Sequence, residues 1–203
     1  MENTTDNNYE IIVNDINQNL LIAIEVPEHV GIHITTHFRD NDFDNNFRRT
    51  NVDQFHITLA IPGRVYHLQS IYNSLNNVAL PVGFPLTLTK LVAIPFDSNA
   101  SHACLLTNPE SRQSMQTLYE TIINALQAAG IYLDVSVPYQ PHCTIATNIR
   151  FERGPTPITR KTCTSNRNYR SPEFMVTRVH LYNTTRVPRN GYRYDVLYTF
   201  PPE

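Results

Sequence analysis

One strand pattern occurs twice in this chain, and any fold it adopts has to accommodate both copies. Phe55-His56-Ile57-Thr58-Leu59-Ala60-Ile61-Pro62-Gly63 and Tyr139-Gln140-Pro141-His142-Cys143-Thr144-Ile145-Ala146 each read His-x-Thr-apolar-Ala. Side chains alternate across a β-strand, so His and Thr two residues apart share one face, while Ile57 and Leu59, or Cys143 and Ile145, share the other. The apolar face suits a core, which makes the His/Thr face a rigid platform. Two platforms of this kind imply a site between them.

A chain of 203 residues buries enough of its surface to fold as one large domain or two small lobes without staples. We read residues 1–19, polar and Asn-rich, as a tail and residues 20–203 as the folded domain. No apolar run reaches the length of a membrane span, and the amino terminus lacks the basic-then-apolar order of a signal peptide. Cys104, Cys143 and Cys163 are odd in number and lack paired metal spacing. Reduced thiols in a cytoplasmic monomer are the expectation.

Leu20–Val26 is a short apolar, β-branched run and reads as the first strand. Residues 28–54 read as an irregular polar stretch, long enough to be a lid. After the first motif strand, Val65, Leu68, Ile71, Tyr72 and Leu75 recur at helical spacing, predicting a helix over about 65–76. Phe84–Pro95 and His102–Thr107 read as a hairpin. Asn108 and Pro109 then open the best helix, with Met115, Leu118, Ile122, Ile123 and Leu126 as its apolar stripe and Gly130 as its stop. Residues 131–137 and the second motif follow, and two alternating runs, 174–182 and 192–200, close the chain as strands. Strands mixed with helices in this order predict an α+β domain.

Charge is unevenly spread: residues 1–54 carry ten acids against three bases, and residues 142–203 four acids against ten bases. Arg150, Arg153, Arg160, Lys161, Arg167 and Arg170 crowd the stretch directly after the second motif. A basic run there suits an anionic ligand, although a solvated loop accounts for it equally well.

His56-Ile57-Thr58-Leu59 and His142-Cys143-Thr144-Ile145, with Pro141 before the second His and a long helix between the motifs, resemble the 2H phosphoesterase superfamily. That group includes RNA-ligase-like 2′,5′ phosphoesterases, cyclic phosphodiesterases, and viral or phage enzymes that destroy defence nucleotides. The resemblance implies a two-lobed, pseudo-symmetric α+β fold with a central cleft, catalytic His56, Thr58, His142 and Thr144, and no cofactor. Imidazole suits both proton-transfer roles near neutrality, and a Thr hydroxyl suits a non-bridging phosphate oxygen. Tyr139, Phe55 and Tyr182 are candidates for stacking a nucleobase, with core packing as the alternative for each, and Arg150 and Arg153 for gripping phosphate.

The substrate class expected is a small 2′,5′-linked or cyclic nucleotide, such as 2′,5′-oligoadenylate or cyclic GMP-AMP, cleaved in evasion of nucleotide-based immunity. RNA ends opened at a 2′,3′-cyclic phosphate are the alternative substrate. A catalytically inactive nucleotide- or RNA-binding module on the same fold is the alternative class. Two further patterns compete for attention. His33-Ile34-Thr35 is a third His-x-Thr, but it leads into a polar stretch and lacks a following amphipathic helix. His29, His33 and His37 recur at four-residue steps, a spacing used by zinc ligands, yet Gly31 and the β-branched Ile32, Ile34, Thr35 and Thr36 oppose a helix there. No metal is expected.

Overall fold

The computed structural model describes residues 19–38, 48–64, 68–94, 102–133, 138–147, 168–187 and 191–202. Ten strands lie among these: β1 (Asn19–Glu25), β2 (Arg48–Arg49), β3 (His56–Arg64), β4 (Phe84–Leu86), β5 (Leu88–Ile94), β6 (His102–Thr107), β7 (His142–Thr147), β8 (Phe174–Val176), β9 (Val179–Val187) and β10 (Gly191–Phe200). Eight of them form one antiparallel sheet in the order β10-β9-β1-β3-β7-β6-β5, with β2 also paired to β7. A separate two-stranded sheet pairs β4 with β8. The α+β class and the two halves implied by the resemblance are both present: β10-β9-β1-β3 on one side and β7-β6-β5 on the other.

The two halves meet at the motif strands, where the registered pair is Ile57 opposite Cys143. Both residues are fully buried. They belong to one core that also takes in Leu59 and Ile145 from the motif strands. The helix numbered α2 (Leu68–Asn76) adds Ile71 and Leu75, and α3 (Arg112–Ala128) adds Met115, Leu118, Ile122 and Leu126. The apolar stripe read from the sequence is therefore the buried face of α3. Its end is set by Gly130 at φ +76°, a left-handed conformation that glycine adopts without a Cβ penalty.

Several sequence expectations need correction. Asn108 does not cap α3 directly: a 3₁₀ turn at Pro109–Ser111 intervenes, and the Asn108 carboxamide oxygen accepts from the Thr87 backbone N–H and the Ser111 hydroxyl instead. The run 84–95 is two strands in different sheets, as is the run 174–182, broken at Thr177 and Arg178. Ile131 and Leu133 are buried outside any strand. Of the stretch 1–19 read as a tail, Asn19 begins β1 and the rest lies outside the described residues, as do residues 134–137 and the basic residues from Arg150 to Arg167.

The largest departure is helix α1 (Glu28–His37), where the local composition argues against a helix. Val30, Ile34 and Phe38, four residues apart, are each buried in the core and supply the stripe that holds it. Gly31 lies against Val52 and Phe55 so closely that an added Cβ would come within 2.7 Å of the Val52 Cγ1. The glycine that weakens the helix locally is thus what lets it dock.

Gly31→Ala should therefore destabilise the protein by about 1–3 kcal/mol, the usual penalty of overpacking, although alanine is the better helix former. Urea unfolding of the two proteins checks the sign, and a more stable variant would show that Val52 yields without cost.

Candidate active site

Strand pairing fixes the four motif side chains before any side-chain contact is considered. Ile57 and Cys143 are opposite each other, and residues flanking an antiparallel pair are opposite in turn. His56 therefore stands across from Thr144, and Thr58 across from His142. All four side chains lie on the face away from the core, each half-buried. The site is a ring of two imidazoles alternating with two hydroxyls.

The imidazoles are held in the same way. The His56 Nδ1 lies 2.7 Å from the Gln54 carbonyl, and the His142 Nδ1 lies 2.7 Å from the Gln140 carbonyl. A carbonyl oxygen only accepts, so each Nδ1 carries hydrogen and each Nε2 is left to act on a ligand. The repeat is thus Gln-x-His-x-Thr in both copies, a signal present in the sequence that the shorter His-x-Thr pattern leaves out. Thr144 is further steadied by Cys104, whose Sγ is 3.5 Å from its hydroxyl. Burial pushes that thiol up to about 12, so it serves as a neutral packing and hydrogen-bonding group.

Burial is the main cause that lowers the pKa of both histidines, partly opposed by their carbonyl partners. Charge repulsion adds to it: His142 lowers His56, and His102 on the neighbouring strand β6 lowers His142. Two imidazoles that repel one another hold one proton more readily than two, which is the state an acid–base pair requires.

The remaining sequence candidates divide. Tyr139 stacks on Tyr119 of α3 with centroids 4.0 Å apart and planes 2° from parallel, and its hydroxyl donates to the Thr58 carbonyl at 3.3 Å. One ring face is occupied, and the residue braces the first motif from the second. Phe55 is 2% exposed in the core, which leaves no ring face for a nucleobase and corrects that candidacy. Tyr182 lies on the same sheet face as the motif side chains but is 6% exposed, packed with Leu21, Ala23 and Tyr194. Arg150 and Arg153 lie outside the described residues.

His33, of the third His-x-Thr, sits on α1 with its Nδ1 3.2 Å from the Tyr169 hydroxyl, apart from the ring formed by the two motifs. Among the described residues no group of three His, Cys, Asp or Glu is arranged to hold a metal, and His29, His33 and His37 are exposed along α1.

Apart from Tyr182, sequence reasoning also missed the flank of the site on β1, β9 and β10. Glu25 is the cross-strand neighbour of His56. His180 on β9 lies with its Nε2 3.7 Å from the Glu25 carboxylate and its Nδ1 3.0 Å from the Thr199 hydroxyl. By register, Tyr194 lies opposite Thr184 and so near the Asn19 end of β1, yet its ring centroid is 4.7 Å from that of His56 at the Glu25 end. The β9–β10 hairpin therefore curls over this face, helped by a bulge between Val196 and Tyr198. The Gln54 side chain fastens the curl by donating to the Tyr192 carbonyl at 2.9 Å.

Fold and site define a class. The family model of the 2′-5′ RNA ligase superfamily matches residues 26–188, and the chain belongs to that family. Among solved structures it is similar to one described as a phosphoesterase, at 19% identity and TM-score 0.70, over 91% of this chain and 97% of that one. It is also similar to TT0787 of Thermus thermophilus, at 18% identity and TM-score 0.68, over 90% and 96%. Escherichia coli LigT, solved with NADP+, matches at 20% identity and TM-score 0.67, over 90% and 96%. At these identities the likeness is one of fold, and it agrees with the 2H phosphoesterase architecture. No curated protein matches the sequence. Among the described residues no helix is long and apolar enough to cross a membrane.

The lowered histidine pKa values have consequences of known sign. An unfolded chain with ordinary imidazoles takes up protons below about 6.5 that the folded protein resists, so the contribution of His56, His142 and His180 to stability is complete above 6.5 and lost as pH falls. Melting temperature should drop from pH 7 to pH 5, and less so in His56→Ala. In His142→Ala, the His56 resonance should titrate at higher pH than in the wild type, since a repelling neighbour is gone; an unchanged titration would show that the two rings do not interact.

Proposed function

We propose that this protein is a phosphodiesterase that works by general acid–base catalysis, with His56 and His142 as the proton-transfer pair. The observation that carries the reading is the matched suspension of the two imidazoles: each is anchored through Nδ1 to a backbone carbonyl, which leaves Nε2 to act on a ligand, and by register each histidine stands across from the other motif's threonine. In the reaction one neutral Nε2 takes the proton of an attacking ribose hydroxyl while the other, protonated, gives its proton to the departing oxygen. Thr58 and Thr144 donate to the non-bridging oxygens, where negative charge grows.

For a 2′,5′ linkage the free 3′-hydroxyl attacks the adjacent phosphorus. The O3′–P bond forms, the P–O5′ bond breaks, and the products are a 2′,3′-cyclic phosphate and a 5′-hydroxyl. The substrate class proposed is a small 2′,5′-linked nucleotide, linear oligoadenylate or a mixed-linkage cyclic dinucleotide such as cyclic GMP-AMP, with antagonism of nucleotide-based immune signalling as its use in the cytoplasm. LigT structures containing ATP and 3′-AMP support nucleotide-sized ligands on this fold. The basic stretch holding Arg150 and Arg153 is short enough to grip a few phosphates, which favours a small ligand over a long RNA.

Incubation with linear and cyclic 2′,5′- and 3′,5′-linked nucleotides, with products resolved by mass, tests the proposal. The wild type should release a 2′,3′-cyclic phosphate in the presence of excess chelator. His56→Ala or His142→Ala should lower turnover by on the order of 10² to 10⁴, and Thr58→Val or Thr144→Val by about 10- to 1000-fold. Full activity in either histidine variant would remove the mechanism. Cleavage confined to RNA ends would put RNA processing in place of the small messengers.

The same pair fixes the pH profile of kcat/KM. It should be a bell, one limb for each imidazole, with its maximum on the acid side of the ordinary histidine value of 6.5. The kcat profile should lie at higher pH, because a bound phosphate favours imidazolium. A single sigmoid would show that only one histidine titrates in the limiting step.

A further inference from the structure

The two motifs are near copies, but their flanks differ in chemistry. On the β7 side the same face continues through Leu106 and Cys104, the register partners of His142 and Thr144. On the β3 side it continues through Glu25, His180, Tyr182 and Tyr194. The Glu25 side chain is 60% exposed, and its 3.7 Å separation from His180 is longer than a hydrogen bond. Burial holds the His180 pKa below its ordinary value, so at neutral pH the pair is not a strong ion pair. A carboxylate beside a phosphate-binding centre repels the substrate unless the substrate donates hydrogen bonds to it.

We propose that Glu25 and Tyr194 form a nucleobase subsite on the His56 side of the cleft, and that the base it takes is guanine. A carboxylate only accepts, and guanine presents two adjacent donors, N1–H and the N2 amine, that match its two oxygens. Adenine places its N1 acceptor beside its single amine donor, so one carboxylate oxygen faces a lone pair. Tyr194 is half-exposed and supplies the stacking surface, with Tyr182 edge-on behind it at 6.2 Å. Tyr192, 49% exposed and two residues along the same strand, extends that surface. The contact between Tyr194 and His56 places the base next to the reacting centre, and the turn of Glu25 toward His180 carries its carboxylate away from the phosphate.

This subsite rests on the proposed function, within which it favours the guanine-containing cyclic dinucleotide over oligoadenylate, and binding separates the two. Calorimetry with guanosine 3′-monophosphate and adenosine 3′-monophosphate should show the wild type binding the guanine nucleotide roughly 10-fold more tightly, the scale of one good bidentate base contact. Glu25→Gln should bring the ratio close to one. Tyr194→Leu, which keeps bulk but removes the ring, should weaken both nucleotides by about 10-fold, and Tyr194→Phe should bind both as the wild type does, with melting curves confirming that each variant folds. Equal binding by the wild type overturns the subsite, and so does a ratio unchanged in Glu25→Gln. A loss equal for both nucleotides in that variant also overturns it, since Glu25 would then touch sugar or merely support the fold. Base-selective binding without cleavage of any phosphodiester would leave the subsite standing and remove the catalytic reading.

Discussion

The antiparallel contact between β3 and β7 is the interaction on which the site depends. Its registered pair, Ile57 with Cys143, is the middle residue of each motif, and both side chains are buried in the common core. Register thereby becomes chemistry. A slip of one residue in either strand would bury a histidine and expose an isoleucine or a cysteine, so the hydrophobic core penalises every arrangement except the one that sets each histidine across from the other motif's threonine. The short length of registered pairing matters as well. Past the first residue of β3, β7 takes β2 as its partner, with Arg48 opposite Thr147 and Arg49 opposite Ala146.

The same burial that fixes geometry also sets protonation. Removing an imidazole from water disfavours its charged form, and placing a second one nearby disfavours it again. The Gln54 and Gln140 carbonyls act in the other direction, accepting from Nδ1 and so favouring a protonated ring. An anionic ligand shifts the balance further toward imidazolium. The site by itself thus favours neutral imidazoles, and in the proposed reaction the substrate would help to bring in the proton.

The elements legible in the sequence were those whose own periodicity matches their burial: the motif strands, α2, α3 and the closing hairpin. Those that were not legible depend on partners far along the chain. Nothing local around Gly31 favours a helix; α1 exists because Val30, Ile34 and Phe38 reach the core and because a missing Cβ admits Val52. The run from Phe174 to Tyr182 reads as one strand although two consecutive polar residues, Thr177 and Arg178, interrupt its alternation; there Phe174–Val176 pairs with β4 and Val179–Val187 with β1 and β10. The four motif residues were readable because a face of a strand is a local property. Glu25 and Tyr194 were not, because their place beside His56 follows from register in one case and from the curl of a hairpin in the other.

That curl bears on a question the motifs leave open. Two His-x-Thr strands related by pseudo-symmetry are interchangeable as acid and base, so the direction of a reaction across them has to be imposed from outside the repeat. The β3 flank offers Tyr194, Tyr182 and the Glu25 carboxylate, and the β7 flank Leu106, a neutral thiol, His102 and the Tyr139 ring already stacked on Tyr119. On the reading proposed above, a nucleoside held over Tyr194 would present its own oxygen to His56 and leave the other oxygen of the phosphodiester to His142. Whether His56 is base or acid then follows from whether the anchored nucleoside carries the attacking hydroxyl or the leaving oxygen. On that reading the polarity of the reaction would be a property of the flanking strands, and the proposed histidine pair could itself stay symmetric.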